Sequence, residues 1–385
     1  MQKMFVQSKQ FVADSLAPYL KRPVFNYFKA NHKKNVLISY IVSPFRKGIN
    51  LKHTNFAESL EIAKVFDSLG YNVDVYNYDF DGKINYGKYA VLFGFGNPLE
   101  NYFFENKKSA TVVHYATGMH ESYQNLATLK RAKELYRRRG TFILQSSRLV
   151  GTIWPAQTFL SDYIIALGNK SVANSYKKDF AGKIFSLPLS FYDVLDLNKV
   201  FFRKNFVLAR KHILWFGGFG AVHKGLDVLL EAFKGVNDVD LHICGYVNQE
   251  FEFLNEFKKE LSMKNIHNHG FVSVDSKEFL ELMRTCGFVI FPSCSEGGSA
   301  SVINCMANGL VPVVTESSGI DTKGFGFEIK DVEISSLRTK IKELASISPK
   351  KLELMSKKCA AHVHSNNSIS AYSKRLRQIM LEILE

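Results

Sequence analysis

Short apolar runs alternate along the chain with stretches whose apolar residues recur every three or four positions. Lys34–Tyr40 (KNVLISY) reads as a strand. Asn55–Leu69 reads as a helix with Phe56, Leu60, Ala63 and Phe66 on one face, stopped by Gly70. Val73–Tyr76, Ala90–Gly94 and Thr111–Tyr115 are further strands. Gln124–Arg139 is a basic helix closed by Gly140, and Asp162–Leu167 and Lys183–Leu187 complete the series. A second series opens near residue 211. It has strands at His212–Phe216, Val239–Cys244, Ile266–Phe271, Phe288–Phe291 and Val311–Val314, with helices at Leu226–Phe233 and Ser301–Asn308. Val194–Arg210 has no clean period and reads as a linker. Strands alternating with helices predict α/β architecture with parallel sheets covered by helices. Two doubly wound domains of similar size are expected, with ligands in the cleft at the carboxyl ends of their strands.

Composition agrees with this picture, and charge adds to it. The chain has 385 residues, 46% apolar and 22% charged, as in a soluble globular protein of two or three domains. The net charge is +14, and residues 1–200 carry 27 Lys/Arg against 15 Asp/Glu, so the excess is N-terminal. Such a balance points to an anionic partner: nucleic acid, an anionic membrane surface or a phosphorylated ligand. No recognition-helix motif or RNP-type aromatic sheet is visible, so no nucleic-acid partner is expected. The five cysteines, Cys244, Cys286, Cys294, Cys305 and Cys359, form no CxxC pair. They predict free thiols in a reducing, cytoplasmic compartment and no metal site. No apolar run nears the ~18 residues that span a bilayer. Within residues 1–30, Phe5, Phe11, Val12, Leu16, Tyr19 and Leu20 can share a helical face flanked by Lys3, Lys9, Lys21 and Arg22. That pattern suits a helix lying on an anionic membrane, or one packed on its own domain with a solvated basic face.

Two segments carry candidate chemistry. Trp215–Asp227 (WFGGFGAVHKGLD) runs from a strand through Gly217, Gly218 and Gly220 into a helix. Glycines allow close backbone approach, a helix N-terminus suits phosphate, and Lys224 adds a point charge. Phe291–Asn304 (FPSCSEGGSASVIN) ends a strand, opens at Glu296, Gly297 and Gly298, and enters a helix that Ser299 or Ser301 can cap. The same N-terminus can instead hold phosphate, and Glu296 can accept two sugar hydroxyls. Two helix ends and one lysine together make a site for a diphosphate.

The pattern FPSxSEGxxxSVxxxMxxGxxPVVT, with KGLDxLLEAF upstream, resembles the donor domain of retaining GT-B glycosyltransferases of the family-4, group 1 type. The resemblance is strong over about 211–325. It extends more weakly over 30–200, where His114–Arg148 is similar to members acting on bacterial surface polysaccharides. It implies a GT-B fold: an acceptor domain (1–200), a donor domain (201–365) and a C-terminal helix (366–385, chiefly Ser368–Leu384) crossing back. It implies a UDP- or GDP-sugar as co-substrate, no cofactor or metal, and a saccharide or lipid-linked acceptor. Bacterial surface polysaccharide or lipopolysaccharide synthesis at the inner face of the cytoplasmic membrane follows.

The resemblance also assigns roles. Lys224 would stabilise the leaving diphosphate, and Glu296 would bind donor-sugar hydroxyls as the first acid of an EX7E motif. Gly297, Gly298, Ser299 and Ala300 would line sugar and phosphates, and Gly245 and Phe271 the nucleoside. Asn304 stands where the family has its second acid, and an amide there would bind ribose without charge assistance. Gly218-Phe219 stand where an arginine often lies, so phosphate neutralisation would rest more on Lys224, or on a basic residue of the other domain such as Arg46 or Lys47. A Gly-Gly loop near residue 43 is replaced by Ser43–Gly48. The histidine beside the anomeric carbon would be His120, with His114 second. Arg131, Arg137, Arg138, Arg139 and Arg148 would form a basic acceptor face. A GT-B nucleotide-sugar epimerase is the alternative activity.

Overall fold

The computed structural model describes residues 21–51, 53–106, 109–322 and 324–385. Residues 1–20 of the expected interfacial helix lie outside the described residues. Residues 21–30 are not helical: Val24 exchanges backbone hydrogen bonds with Val75 at 2.9 and 2.8 Å.

The first sheet holds β1 (Lys34–Tyr40), β2 (Tyr71–Asn77), β3 (Val91–Gly94), β4 (Thr111–Ala116), β5 (Tyr163–Leu167) and β6 (Lys183–Leu187), in the order β2-β1-β3-β4-β5-β6. The second holds β7 (His212–Phe216), β8 (Asp240–Cys244), β9 (Ile266–Gly270), β10 (Phe288–Phe291), β11 (Val311–Val314) and β12 (Phe327–Glu328), in the order β12-β11-β10-β7-β8-β9. Every paired strand is parallel. Val36, Leu37 and Ile38, like Val289, Ile290 and Phe291, are fully buried, because helices cover both faces of such sheets. This is why their strands read as unbroken apolar runs. The segment 194–210 is not a plain linker. It forms two short helices, Leu197–Arg203 and Phe206–Ala209, capped by Asp196 and Asn205. Four to seven residues are too few to show a helical period.

Six helices position the site: α1 (Asn55–Ser68), α2 (Glu121–Arg139), α3 (Leu226–Phe233), α4 (Ala300–Ala307), α5 (Pro349–Asn366) and α6 (Ile369–Leu384). The α6 side chains of Tyr372, Leu376, Ile379 and Met380 are buried in the N-terminal core, and the Tyr372 and Tyr115 hydroxyls lie 2.9 Å apart. The chain therefore crosses between domains twice. At the second crossing, Asn367 Nδ2 donates to Leu189 O (2.8 Å) and Phe191 N–H donates to Asn367 O (3.1 Å).

Helix α2 belongs to the first domain but lies against the second. Arg138 reaches Asp227 (2.6 Å), while Arg139 reaches Glu231 (2.9 Å), Glu256 (3.3 Å) and Glu260 (2.5 Å). Arg131 donates to Pro292 O at 2.9 Å. The expected basic acceptor face is thus corrected. Periodicity marked the helix, but three of its arginines clamp the two domains together. Of that set, Arg137 faces solvent beside Glu134, and Arg148 turns to the cleft.

Candidate functional site

The donor-side loop leaves β7 at Phe216 and enters α3 at Leu226. Gly217 and Gly245 touch backbone to backbone: a Cβ on Gly245 would lie 2.1 Å from Gly217 O. Gly218 has open space above it. The Gly220 and Ala221 N–H groups do not point at a vacant phosphate site. They donate to the buried Glu250 carboxylate at 2.8 and 3.1 Å, which fixes the loop from within the domain.

Lys224 is buried at the end of this loop, and its Nζ makes an ion pair with Glu296, which follows β10. Glu296 also accepts from Ser293 Oγ (3.1 Å), and its N–H donates to Ser317 O (2.8 Å). Burial works to raise the Glu296 carboxyl, but Lys224, Arg148 and His223 outweigh it and hold it at about 2. Burial pushes the Lys224 ammonium below its ordinary value, and Glu296 pushes it back. His223 Nε2 donates to Ser295 O (2.6 Å) and its Nδ1 accepts from Thr128 (2.8 Å). Burial lowers this ring to about 4, so it is a neutral strut between α2 and the Glu296 loop.

The second cation is Arg148, from the first domain, with a guanidinium nitrogen 3.5 Å from Glu296 Oε2. Arg46 does not take this place, because it donates to the carbonyls of Arg22 and Pro23. Lys47 makes no ion pair with Glu296 either. Arg148 has φ +34°, a left-handed backbone that costs a non-glycine residue about 1 kcal/mol or more. Gln124 Nε2 holds its carbonyl at 3.0 Å. Its stem lies over Gly220, where a Cβ would meet Cγ and Cδ at 2.5 Å. A bare glycine (φ +96°) below and a strained arginine above place one cation from each domain on the same carboxylate.

The turn into α4 is pressed against the first domain. A Cβ on Gly297 would lie 2.3 Å from Thr117 O, and one on Gly298 (φ +81°) would lie 2.1 Å from Leu189 Cδ1. Ala300 packs on the N-terminal core. Neither Ser299 nor Ser301 caps α4: Ser301 Oγ donates to Phe216 O (2.7 Å), and the two hydroxyls lie 2.8 Å apart. The first turn of α4 therefore keeps uncapped N–H groups. Asn304 is not free for a ribose. Its Nδ2 donates to Ala300 O (2.7 Å) and its Oδ1 accepts from Tyr192 N–H (3.1 Å), tying α4 to the chain between the domains. A carboxylate could accept from Tyr192 but not donate to Ala300, which gives the amide a structural reason. Farther out, Phe219 stacks on Tyr246 (4.6 Å, 6°), which stacks on Phe271 (5.0 Å, 23°) beside Gly245.

The histidines fall differently from expectation. His120 caps α2 through Nδ1, accepting from Ser122 N–H (3.2 Å), and its Nε2 faces Asp179 at 3.6 Å within its own domain. The structure does not bring it to the Lys224–Glu296 pair, although Thr117 and Gly118 of the same loop touch Gly297. His114 is buried behind it and is lowered to about 3 by burial and by His120. His53, ahead of α1, lies within electrostatic reach of both cations. Burial lowers its pKa, the hydrogen bond with Asn55 opposes this, and Arg148 and Lys224 lower it further. Its only sequence signal was a histidine just before a helix start.

Residues 210–346 match the family model described as glycosyl transferases group 1, so the likeness to that family is shown for the second domain. No curated protein matches the chain. Among solved structures, sucrose-phosphate synthase from Thermosynechococcus elongatus is similar over 91% of this chain and 99% of its own, with TM-score 0.62 and 12% identity. HepE from Anabaena, in complex with UDP-glucose, covers 91% and 100% with TM-score 0.58 and 12% identity. WaaG, a glycosyltransferase involved in lipopolysaccharide biosynthesis, covers 89% and 99% with TM-score 0.56 and 13% identity. At such identities the likeness establishes the GT-B fold over nearly the whole chain.

Proposed function

We propose that the protein is a retaining glycosyltransferase that moves a sugar from a UDP- or GDP-sugar to a saccharide or lipid-linked acceptor in bacterial surface polysaccharide or lipopolysaccharide synthesis. The observation that carries this reading is the buried Glu296 carboxylate held between Lys224 and Arg148 where the two domains meet. A departing nucleoside diphosphate develops negative charge, and two fixed cations beside the uncapped start of α4 stabilise that charge. Glu296, anionic at neutral pH, accepts hydroxyls of the donor sugar. No protein nucleophile is needed if the leaving phosphate takes the acceptor's proton on the same face. The Phe219–Tyr246–Phe271 stack and Gly245 offer the nucleoside a platform, and HepE, whose complex holds UDP-glucose, supports the choice of a nucleotide-sugar.

Thermal melts with UDP-, GDP- and ADP-sugars test the donor, since a ligand bound at 100 times its Kd stabilises by about 2.7 kcal/mol. One nucleotide series is expected to raise Tm, with Lys224→Ala abolishing the rise. No rise with any of them rejects the reading, and donor consumed without an acceptor marks an epimerase instead.

Association with the inner face of the cytoplasmic membrane is part of this proposal. No helix among the described residues is long and apolar enough to cross a membrane. The outer face of α2 carries exposed Leu126, Leu129 and Tyr136 among Lys130 and Lys133. Apolar anchors with cations suit an anionic surface, at about 1 kcal/mol per cation. Lys130→Ala/Lys133→Ala is expected to weaken cosedimentation with phosphatidylglycerol vesicles by roughly 30-fold at low salt. Equal binding to neutral phosphatidylcholine vesicles would count against the electrostatic part.

A further inference from the structure

A cavity of about 550 Å³ opens on the hinge side of the domain contact. It lies where both chain crossings run together, beside the Asn367–Leu189 and Phe191–Asn367 hydrogen bonds. Its first-domain wall carries Lys170, Lys374 and Arg375. None of the three makes an ion pair among the described residues, and the one carboxylate in the lining, Asp321, accepts from Asn169 Nδ2 at 3.2 Å. The opposite wall comes from the donor side and is mixed: Ile303 and Met306 of α4, with Ile320, stand beside the polar side chains of His362, Ser365 and Asn366. Tight backbone packing closes the cavity off from Lys224. A Cβ on Gly319 would lie 2.6 Å from Gly298 N, and one on Gly168 would lie 3.2 Å from Gly297 O.

We propose that this cavity binds a small soluble phosphorylated molecule, such as a sugar phosphate, that regulates the donor site. Three uncompensated cations against one acid call for an anion. An arginine beside lysines suits phosphate, since its planar fork gives two parallel hydrogen bonds. The volume lies within the range of small-molecule sites, and the facing wall offers His362, Ser365 and Asn366 to sugar hydroxyls. A ligand here touches α6, which moves with the first domain, and α4, which carries the donor turn. It therefore holds the two domains at the angle at which Gly297 meets Thr117. Binding and donor affinity are coupled through that angle, and the coupling is reciprocal. The regulatory consequence rests on the proposed transferase activity, whereas the binding does not.

The test uses the full chain, with glucose 6-phosphate and inorganic phosphate as probes in thermal melts. Glucose 6-phosphate is expected to give a saturable rise in Tm in the wild type and in Lys224→Ala. Lys374→Ala/Arg375→Ala, at two exposed positions, is expected to abolish that rise while keeping the response to the nucleotide-sugar. In turnover assays the wild type should show about a fivefold lower donor KM with the sugar phosphate, a coupling of ordinary size. Absence of a saturable rise overturns the proposal. So does a rise lost in Lys224→Ala, which places the probe in the donor site, or one kept in the double variant. Phosphatidylglycerol vesicles form the second arm. Cosedimentation that depends on Lys374 and Arg375, without a response to either soluble probe, overturns the assignment to a soluble ligand. If the sugar phosphate binds as expected and no nucleotide-sugar does, the donor reading fails alone.

Discussion

Lys224→Ala is expected to lower turnover of the nucleotide-sugar by about 10²–10³, the loss found when one fixed donor to a developing negative charge is removed. Lys224 is buried and cannot be replaced by a neighbour, because its stem is packed beneath Gly217, where a Cβ would lie 3.1 Å from Lys224 Cδ. The fold should tolerate the change, since Glu296 keeps Arg148 at 3.5 Å and Ser293 at 3.1 Å. Arg148→Ala should cost less, about tenfold, because its side chain is 45% exposed and water screens it. Glu296→Gln keeps the shape but removes a charge that its surroundings hold at about 2, so it should raise KM for the donor at neutral pH. Chromatographic assay of released nucleotide checks all three. Unchanged turnover in Lys224→Ala would remove the site assignment altogether.

Much of this is legible in the sequence. Parallel strands covered on both faces read as nearly continuous apolar runs, and VLIS, VLFG, HILWF and FVIF are such runs, the last three closed by glycine or proline. Lys224 and Glu296 were legible because the glycine loop and the Pro292 turn each end a strand of one sheet. Contacts made across the domains were not. Arg148 lies in a segment with no period, and only the bare Gly220 beneath it makes room for its stem. Asn304 sat at the expected place in the motif, but its partner, the Tyr192 N–H, comes from the chain between the domains, more than 100 residues earlier. Periodicity showed that α2 is basic without showing which arginines meet Asp227, Glu231, Glu256 and Glu260. His120 and His53 both precede a helix. Their difference is where each loop leads, which one-dimensional spacing does not record.

A steep loss of stability between about pH 6.5 and 5 is the second large effect expected. Burial is the first cause of low proton affinity at His114 (about 3), His223 (about 4) and His242 (about 3). His242 is also lowered by His267, His212 and His269, with Asp240 opposing, and its ring nitrogens meet His212 and His269 at 3.1 Å. Each ring is neutral in the fold but gains a proton in the unfolded chain below about pH 6.5, the ordinary value. The unfolded state then binds more protons, so stability is complete above 6.5 and falls as pH drops toward the folded-state values. Each ring contributes roughly 1.4 kcal/mol per pH unit, so the three together remove about 6 kcal/mol by pH 5, comparable with the whole stability of many domains. Glu296 adds a separate loss below its ordinary carboxylate value, from about pH 4.5 toward 2, because its folded pKa is depressed. Glu58 works the other way: burial raises it, so protonation favours the fold as pH falls. Urea midpoints between pH 7.5 and 5 measure the net slope, and His242→Gln should flatten it by about a third. A midpoint that stays level over that interval would show that these rings are not held neutral by the fold.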